Sequence, residues 1–398
     1  MLIALLPVGC AAPSLLLPAG AASPESAPGD QEVAAPVPVV LGAVYNLTGG
    51  QAGLDVPSSH GARLAIDQAN AAGGVLGRPV ELVLRDGETD LATIRARTTE
   101  IVEQYPATAA LFGLSDTDPV LAAAPAAARA GRLFLASGAT SPKLPEQVPG
   151  YLYLACFGDN VQAAAGAEWA YHHLGARTAS IVFNQNSTYS QLLHGYFQTR
   201  FEALGGRVLS VEGFLPGATE NIAAVVGSLP PADLVYLSLT PDVVLDTVLA
   251  VRAAGDAGPI LGGDGFDVAG LWEQHPEVNQ VYFTTHVYLG PDNDDPAVLA
   301  FRNAYGQAYP DSPAPDAFAA LGYDAARLLL LAVDHAGSTD PEAVRQALAG
   351  IRQFQGVTGQ IGFPTGSHIP VKSVAIVSAD AGTVKLEEQV MPEQVPPP

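Results

Sequence analysis

Two short stretches of the sequence each end an apolar run in a loop of small and hydroxylated residues. The first is LFGLSDTDPV (111–120) and the second is FLASGATSPKL (134–144). In each loop, hydroxyl residues stand shortly before a proline, at Pro119 and Pro142, which predicts that the loop leads into the start of a helix. Free N–H groups and the helix dipole attract an anion there, and a Thr hydroxyl adds a donor. Helix capping alone explains the same residue types, so a single loop does not indicate a ligand site.

The elements around these loops alternate between β-rich runs and amphipathic helical patterns. We predict strands at 39–44, 80–86, 108–113 and 132–137, with helices at 58–74, capped by Ser58 or Ser59, and at 90–105. The pattern restarts with strands at 179–184, 207–214, 233–239 and 259–263 and helices near 189–204, 219–228 and 241–255. Such alternation predicts an α/β protein with two parallel sheets and helices on both faces of each.

The last third of the chain cannot fit entirely into the second sheet. It holds a strand at 281–290, two or three helices within 296–350 and a final strand at 369–377. We therefore expect the chain to return to the first lobe, giving two doubly wound lobes joined by a three-segment hinge. The predicted lobes are 37–157 plus 288–362 and 158–287 plus 363–390. In such sheets a ligand binds beyond the carboxyl ends of the strands, where both loops lie.

The composition excludes several classes of partner. The chain has 398 residues, a formal net charge of −22 and a pI near 4.5, which argue against binding nucleic acid or anionic lipid through charge. The sequence lacks the nucleophile elbow, the phosphate-binding loop and the HExxH zinc motif. The acidic run DNDD (292–295) lacks the spacing of a calcium loop. We predict no enzyme activity, no cofactor and no metal site.

The N-terminus has the features of an export signal. MLIALLPVGC (1–10) has the length of a signal-peptide apolar core and ends in a sequence similar to the bacterial lipobox, with Cys10 as the residue to be lipid-modified. An ordinary secretory signal cut elsewhere is the alternative. Residues 11–36 are rich in Ala, Pro, Ser and Gly and are predicted to form a flexible tether. Acylation of Cys10 would leave Cys156 without a disulfide partner.

Four stretches together resemble a known family. They are GAVYNLTGGQAGLD (42–55), HGARLAIDQANAAGGVLGRPVELVLRDGETD (60–90), LFGLSDTDPV (111–120) and ASGATSPKL (136–144). The chain from about Val37 to about Val377 resembles the type I periplasmic solute-binding proteins of ABC importers. Within them it is similar to the branch that binds leucine, isoleucine and valine.

The resemblance implies a set of ligand-binding residues in the first lobe. There the family holds an amino acid's carboxylate with hydroxyls and backbone N–H groups, which correspond here to Thr117, Gly138 and Thr140. The aromatic residue that often covers the ligand corresponds to Leu54, a departure that affects side-chain specificity.

The resemblance implies three further residues at the first crossing and in the second lobe. The acid that binds the ligand's ammonium corresponds to Asp264, in GGDGF (262–266), and Tyr189 and Asp159 correspond to further contacts. From the residues alone, Asp264 could also be a turn residue, Tyr189 the start of a helix and Asp159 the N-cap of a helix beginning at Val161. The equivalent of one more strand-end residue is ambiguous between Leu239 and Thr240.

The implied function is that of an extracytoplasmic, lipid-anchored binding protein. It would capture an amino acid or related small zwitterion between its lobes, close around it and deliver it to the permease of an ABC importer. One alternative is a ligand-sensing receptor domain. Another is an importer component for aromatic acids, amides or short peptides, and for a ligand without an ammonium Asp264 would be dispensable.

Overall fold

The computed structural model describes residues 36–215, 217 and 219–398. The first sheet and its helices comprise β1 (Val39–Tyr45), α1 (Ala52–Ala71), β2 (Val80–Asp86), α2 (Leu91–Gln104), β3 (Thr108–Gly113), α3 (Thr117–Arg129), β4 (Phe134–Ala136), α4 (Leu144–Gln147) and β5 (Leu152–Leu154). All five strands are parallel and lie in the order β2, β1, β3, β4, β5. The loops after β3 and β4 therefore open at the same edge of the sheet.

Helix α1 begins earlier than the sequence predicted. Its first residue is Ala52, so Ser58 and Ser59 lie inside the helix and cap nothing. Serine is a favoured N-cap and proline is disfavoured inside a helix, but here Pro57 is accommodated inside the helix. The hydroxyl of Ser59 donates to the carbonyl of Val56 at 2.8 Å.

The second sheet is built from later parts of the chain. Its strands and helices are α5 (Asp159–His172), β6 (Thr178–Asn184), α6 (Thr188–Ala203), β7 (Arg207–Phe214), α7 (Thr219–Gly227), β8 (Leu234–Ser238), α8 (Pro241–Ala253), β9 (Ile260–Gly262), β10 (Val281–Thr285), β13 (Val374–Asp380) and β14 (Thr383–Val390). The strand order is β14, β13, β10, β9, β8, β6, β7. The five strands from β6 to β10 pair in parallel, whereas β13 and β14 are antiparallel.

The segment between β10 and β13 belongs with the first sheet. It contains α9 (Pro296–Ala308), α10 (Ala317–Ala336), α11 (Pro341–Gly350) and a short hairpin of β11 (Phe354–Gly356) and β12 (Gly359–Ile361). Helix α10 crosses α1 so closely that a Cβ on Gly61 would lie 1.9 Å from the carbonyl oxygen of Ala319, and one on Gly322 equally close to that of Ser58. Two glycines therefore permit this crossing.

The chain passes between the two sheets three times, within 155–158, 286–295 and 362–373. The prediction of two α/β lobes joined by a three-segment hinge is confirmed, with antiparallel β13 and β14 as the departure from a purely parallel second sheet. Cys10, the signal segment and the tether up to residue 35 lie outside the described residues. Cys156 is buried and forms no disulfide within the described part of the chain. Of the helices that the structure describes, none combines the length and hydropathy needed to span a bilayer.

Candidate functional site: a cavity between the lobes

A cavity of about 10 Å³ lies where the two lobes meet. Its lining comes from both lobes. The first-lobe wall consists of Gln51, Leu54, Ser115, Asp116 and Phe318, and the second-lobe wall of Tyr189, Thr240, Pro241, Asp264 and Gly265. This volume is near the lower limit for a single water molecule. The lobes are therefore closed on each other, and a solute the size of an amino acid enters only when they separate.

Another cavity, of about 450 Å³, lies beside the 286–295 crossing. Its lining includes Trp272, Phe283 and Tyr288, and it contains none of the residues that the sequence predicted for the site. The smaller cavity is the candidate site because strand-end loops of both sheets meet there, as expected for doubly wound sheets.

Asp264 takes its position from the end of β9 and the two glycines beside it. It follows Gly263 directly and opens a single 3₁₀ turn, Asp264–Phe266. A Cβ on Gly263 would lie 2.5 Å from the hydroxyl of Tyr189, and one on Gly265 equally close to the carbonyl oxygen of Leu239. The glycines thus let Tyr189 and the β8 strand end approach the carboxylate, which explains the sequence GGDGF.

Neutral donors surround the carboxylate of Asp264. Its Oδ1 accepts hydrogen bonds from the Tyr189 hydroxyl and from Gln162 Nε2, each at 2.8 Å. Its Oδ2 lies 3.1 Å from Nε2 of His286, and burial lowers the pKa of His286, which keeps the imidazole neutral near pH 7. In the part of the chain that the structure describes, no Lys or Arg forms an ion pair with Asp264. A buried carboxylate without a cationic partner favours a cationic ligand.

Gln162 links Asp264 to residues behind the cavity wall. Its Oε1 accepts from the Thr284 hydroxyl at 2.7 Å and from the Asp264 N–H at 3.2 Å. Its Nε2 also donates to Oδ1 of Asp159 at 3.0 Å. Sequence reasoning missed Gln162, Thr284 and His286. Their positions in the sequence could have indicated them. Gln162 lies one helical turn after Asp159, Thr284 lies at the end of β10, and His286 follows that strand directly.

The structure brings Leu54, Tyr189 and Asp264 to the cavity, together with Thr240 from the ambiguous pair. Asp159 is fully buried behind them, where burial and then the charge of Asp264 raise its pKa well above the usual value. It is the first residue of α5, whose N-cap is Gly158. The N-cap alternative for Asp159 is therefore wrong.

The loop after β3 presents Asp116, and Thr117 lies behind it. Thr117 is the first residue of α3, and its N–H donates to Oδ1 of Asp116 at 2.7 Å. The N-cap is therefore Asp116, and neither Thr117 nor Asp118 caps this helix. Thr117 is buried, and its hydroxyl has no hydrogen-bond partner within the described residues.

Gly138 and Thr140, from the loop after β4, also lie behind the lining. A Cβ on Gly138 would come 3.0 Å from the ring of Phe318 and 3.1 Å from Cβ of Ser115. The carbonyl of Thr140 accepts from the N–H of Asp159 at 2.6 Å. In the closed arrangement these two residues therefore support the wall from behind.

The Asp116 carboxylate carries most of the polarity of the first-lobe wall. Its Oδ2 accepts from Nε2 of Gln51 at 2.8 Å, while Oε1 of Gln51 has no partner in the described part of the chain. Although part of Asp116 is exposed, desolvation of its carboxyl raises the pKa to about 7, and the charges of Asp118, Asp55 and Asp264 add to the effect. No group of three or more His, Cys, Asp or Glu side chains among the described residues is arranged to hold a metal ion.

The chain is similar to known proteins over most of its length. A family model described as periplasmic binding protein matches residues 38–383. The Leu/Ile/Val-binding protein homolog 1 of Brucella melitensis is 24% identical over 336 residues, which cover 82% of this chain and 86% of that protein.

Two solved structures share the fold. LivJ of Streptococcus pneumoniae, a branched-chain amino acid transporter substrate-binding protein in complex with isoleucine, is 26% identical with a TM-score of 0.81 and covers 89% of this chain and all of its own. A solute-binding protein of an ABC transporter from R. palustris, in complex with benzoate, is 20% identical with a TM-score of 0.78 and covers 89% of this chain and 97% of its own.

Proposed function

The chain belongs to the periplasmic binding protein family, and on that premise we propose that it captures an amino acid or related small zwitterion and delivers it to an ABC importer. Asp264 supports this proposal more than any other residue. Its carboxylate is almost fully buried, lines the cavity and is surrounded by neutral donors. An ammonium group of the ligand would supply the cation that this environment lacks.

Closure of the lobes is the second part of the proposal. The Thr188 hydroxyl, in the second lobe, donates to Oδ1 of Asp118, in the first lobe, at 2.7 Å. Contacts of this kind exist only when the lobes are closed, and a ligand that touches both walls shifts the population towards that state. The closed form is the one that we propose the permease recognises.

Attachment outside the cytoplasmic membrane through Cys10 is the third part. It rests on the sequence of residues 1–10, which ends in the lipobox-like PVGC. A Cys10→Ser variant, expressed in the native host with its signal, should appear in the soluble extracytoplasmic fraction instead of the membrane fraction. Equal membrane retention of both proteins would argue against the anchor.

The alternative ligand classes would need different charges on the walls of the cavity. A benzoate-like acid would bring its carboxylate next to Asp116 and Asp264, and within the described lining of the cavity there is no Lys or Arg to neutralise it. The residues here therefore favour a ligand with a cationic group. A sensor role would use the same closure and differ only in the partner protein.

A thermal-shift screen, followed by titration calorimetry, tests the binding part. Amino acids, diamines, aromatic acids and short peptides are added separately to the purified protein, from residue 36 onwards. We expect an amino acid or amine to raise the melting temperature and to bind near the micromolar range, about −8 kcal/mol, and to be recovered unchanged. Stabilisation by aromatic acids alone would contradict the proposal. Uptake of the labelled ligand by cells with and without the gene then tests delivery.

A further inference from the structure

The charges around the cavity differ from those expected for a leucine-like ligand. Such a ligand has one ammonium and one carboxylate, so one wall should offer anion donors and the other an acid. Instead, each wall presents an acid, Asp264 on the second lobe and Asp116 on the first. Among the described lining residues there is no cationic side chain to offset either of them.

Asp116 accepts hydrogen bonds through both of its oxygens. Oδ1 accepts from the N–H of Thr117 and Oδ2 from Nε2 of Gln51. Its position at the N-cap of α3 also places it against the positive end of the helix dipole. Both features favour the ionised carboxylate, whereas burial and the neighbouring acids raise its pKa to about 7. A cationic group placed beside Asp116 would favour the ionised form and be bound by it, whereas a ligand carboxylate would add to the negative charge.

Gln51 gives an independent indication. Its side chain lines the cavity and is buried, with 9% of the residue exposed. Since Nε2 is engaged by Asp116, the free atom is Oε1, an acceptor with no partner within the described residues. A buried acceptor without a donor is unfavourable, so a ligand that places an N–H group here would be stabilised.

The ring of Phe318 completes this side of the cavity. Aromatic faces attract cations as well as apolar groups. The first-lobe wall therefore combines a carboxylate, a free amide oxygen and an aromatic ring, which together match an ammonium or guanidinium group.

We propose that the ligand carries two cationic groups, one bound by Asp264 and the other by Asp116 and Gln51, as in a diamine or a basic amino acid. This inference rests on the proposed capture of an amine-bearing solute: a basic amino acid is a member of the proposed class of zwitterions, whereas a diamine would replace that class. Whether the ligand also carries a carboxylate is decided by the experiment below.

Matched pairs of compounds test this inference by titration calorimetry. L-lysine and L-norleucine differ in the second cationic group, and so do 1,5-diaminopentane and pentylamine. We expect the dicationic member of at least one pair to bind tenfold or more tightly than its monocationic partner. The pair with the larger affinities shows whether a ligand carboxylate is accommodated.

An Asp116→Asn variant tests the assigned residue. Asn is as good an N-cap as Asp, so α3 should form normally, and circular dichroism and the melting temperature check this. We expect the preference for the dicationic compound to fall by tenfold or more, with little change for the monocationic one. An Asp67→Asn variant, at an exposed position of α1 outside the cavity lining and the hinge, controls for the change in net charge.

The outcomes separate this inference from the proposed function. Tight binding of norleucine or leucine without a preference for lysine would overturn the inference and leave the proposed function standing. An unchanged preference in Asp116→Asn would also overturn it. If only the diamine binds tightly, the inference stands and the zwitterion named in the proposed function is wrong. If no amino acid or amine binds, both proposals fail.

Discussion

The two walls of the cavity present the same functional group in different surroundings. On the second-lobe wall, the Asp264 carboxylate is surrounded by Tyr189, Gln162 and His286. On the first-lobe wall, the Asp116 carboxylate accepts from the amide Nε2 of Gln51, whose own Oε1 has no partner in the described chain. The second-lobe wall is preorganised, whereas the first-lobe wall has an acceptor that a ligand can satisfy.

The helices and strands that carry the residues of the two walls also differ. Asp264 and His286 follow the neighbouring parallel strands β9 and β10, and Gln162 lies in the first turns of α5. Asp116 and Gln51 instead occupy the N-cap positions of α3 and α1, and only Asp116 accepts a capping hydrogen bond through its side chain. We infer that the second-lobe wall holds its geometry in the absence of ligand and that the first-lobe wall adjusts when the lobes close.

Asp264→Asn should have the largest effect. It removes the charge from the preorganised wall while keeping the size of the side chain, so the loss of ligand binding should reach about 2–5 kcal/mol. Calorimetry with the best compound of the screen measures it, and Asp67→Asn, at an exposed position of α1, is the matched control. Unchanged affinity would show that Asp264 does not bind a ligand cation.

Tyr189→Phe should weaken binding less than Asp264→Asn. The variant keeps the aromatic ring and removes one of the donors to Asp264, an effect of about 1.5–3 kcal/mol for a hydrogen bond to a charged group. The loss should be the same for monocationic and dicationic compounds because it acts on the second-lobe wall only. A loss confined to dicationic compounds would contradict this division between the walls.

The fold and the residues of the second-lobe wall were predicted more completely from the sequence than the residues of the first-lobe wall. The resemblance to the family selected Asp264, whereas its position after a strand and its flanking glycines alone were equally compatible with a turn residue. Gln162 and His286 lie 102 and 22 residues away from it, and their contact depends on how α5 and β10 pack, which local patterns do not reveal.

In the first lobe, a shift of one residue changed the predicted chemistry. The sequence favoured the hydroxyl of Thr117, but α3 begins at that residue, so the extended residue before it presents a carboxylate to the cavity. The direction of β13 could not be predicted from the sequence either, because its apolar pattern is compatible with parallel or antiparallel pairing.

The pH dependence of binding provides a test specific to the first-lobe wall. The pKa of Asp116 is raised to about 7 by burial and by neighbouring carboxylates. A bound cation favours the ionised form and lowers this pKa, so the affinity for a dicationic ligand should fall as the pH drops below about 7, by up to tenfold per unit. Calorimetry between pH 5.5 and 8 measures the slope.

Asp116→Asn identifies the source of that slope. Burial also raises the pKa of Asp55 to about 7, and the charge of Asp55 adds to the rise in the pKa of Asp116. If Asp116 carries the effect, the variant should show a flatter profile than the native protein. An equal slope in both proteins would assign the pH dependence to another group and leave the first-lobe wall without its proposed charge.

Thr188→Val should have the smallest effect, because it leaves both walls intact. It removes the hydroxyl that donates to Asp118 across the lobes, so the closed state should lose about 0.5–1.5 kcal/mol. Since every ligand depends on closure, all compounds should bind a few-fold more weakly, with their order of affinity unchanged. Thr199→Val, at an exposed position of the same helix, is the matched control. A changed order of affinity would show that closure and ligand selection are not separable, because the walls would then depend on contacts outside the cavity.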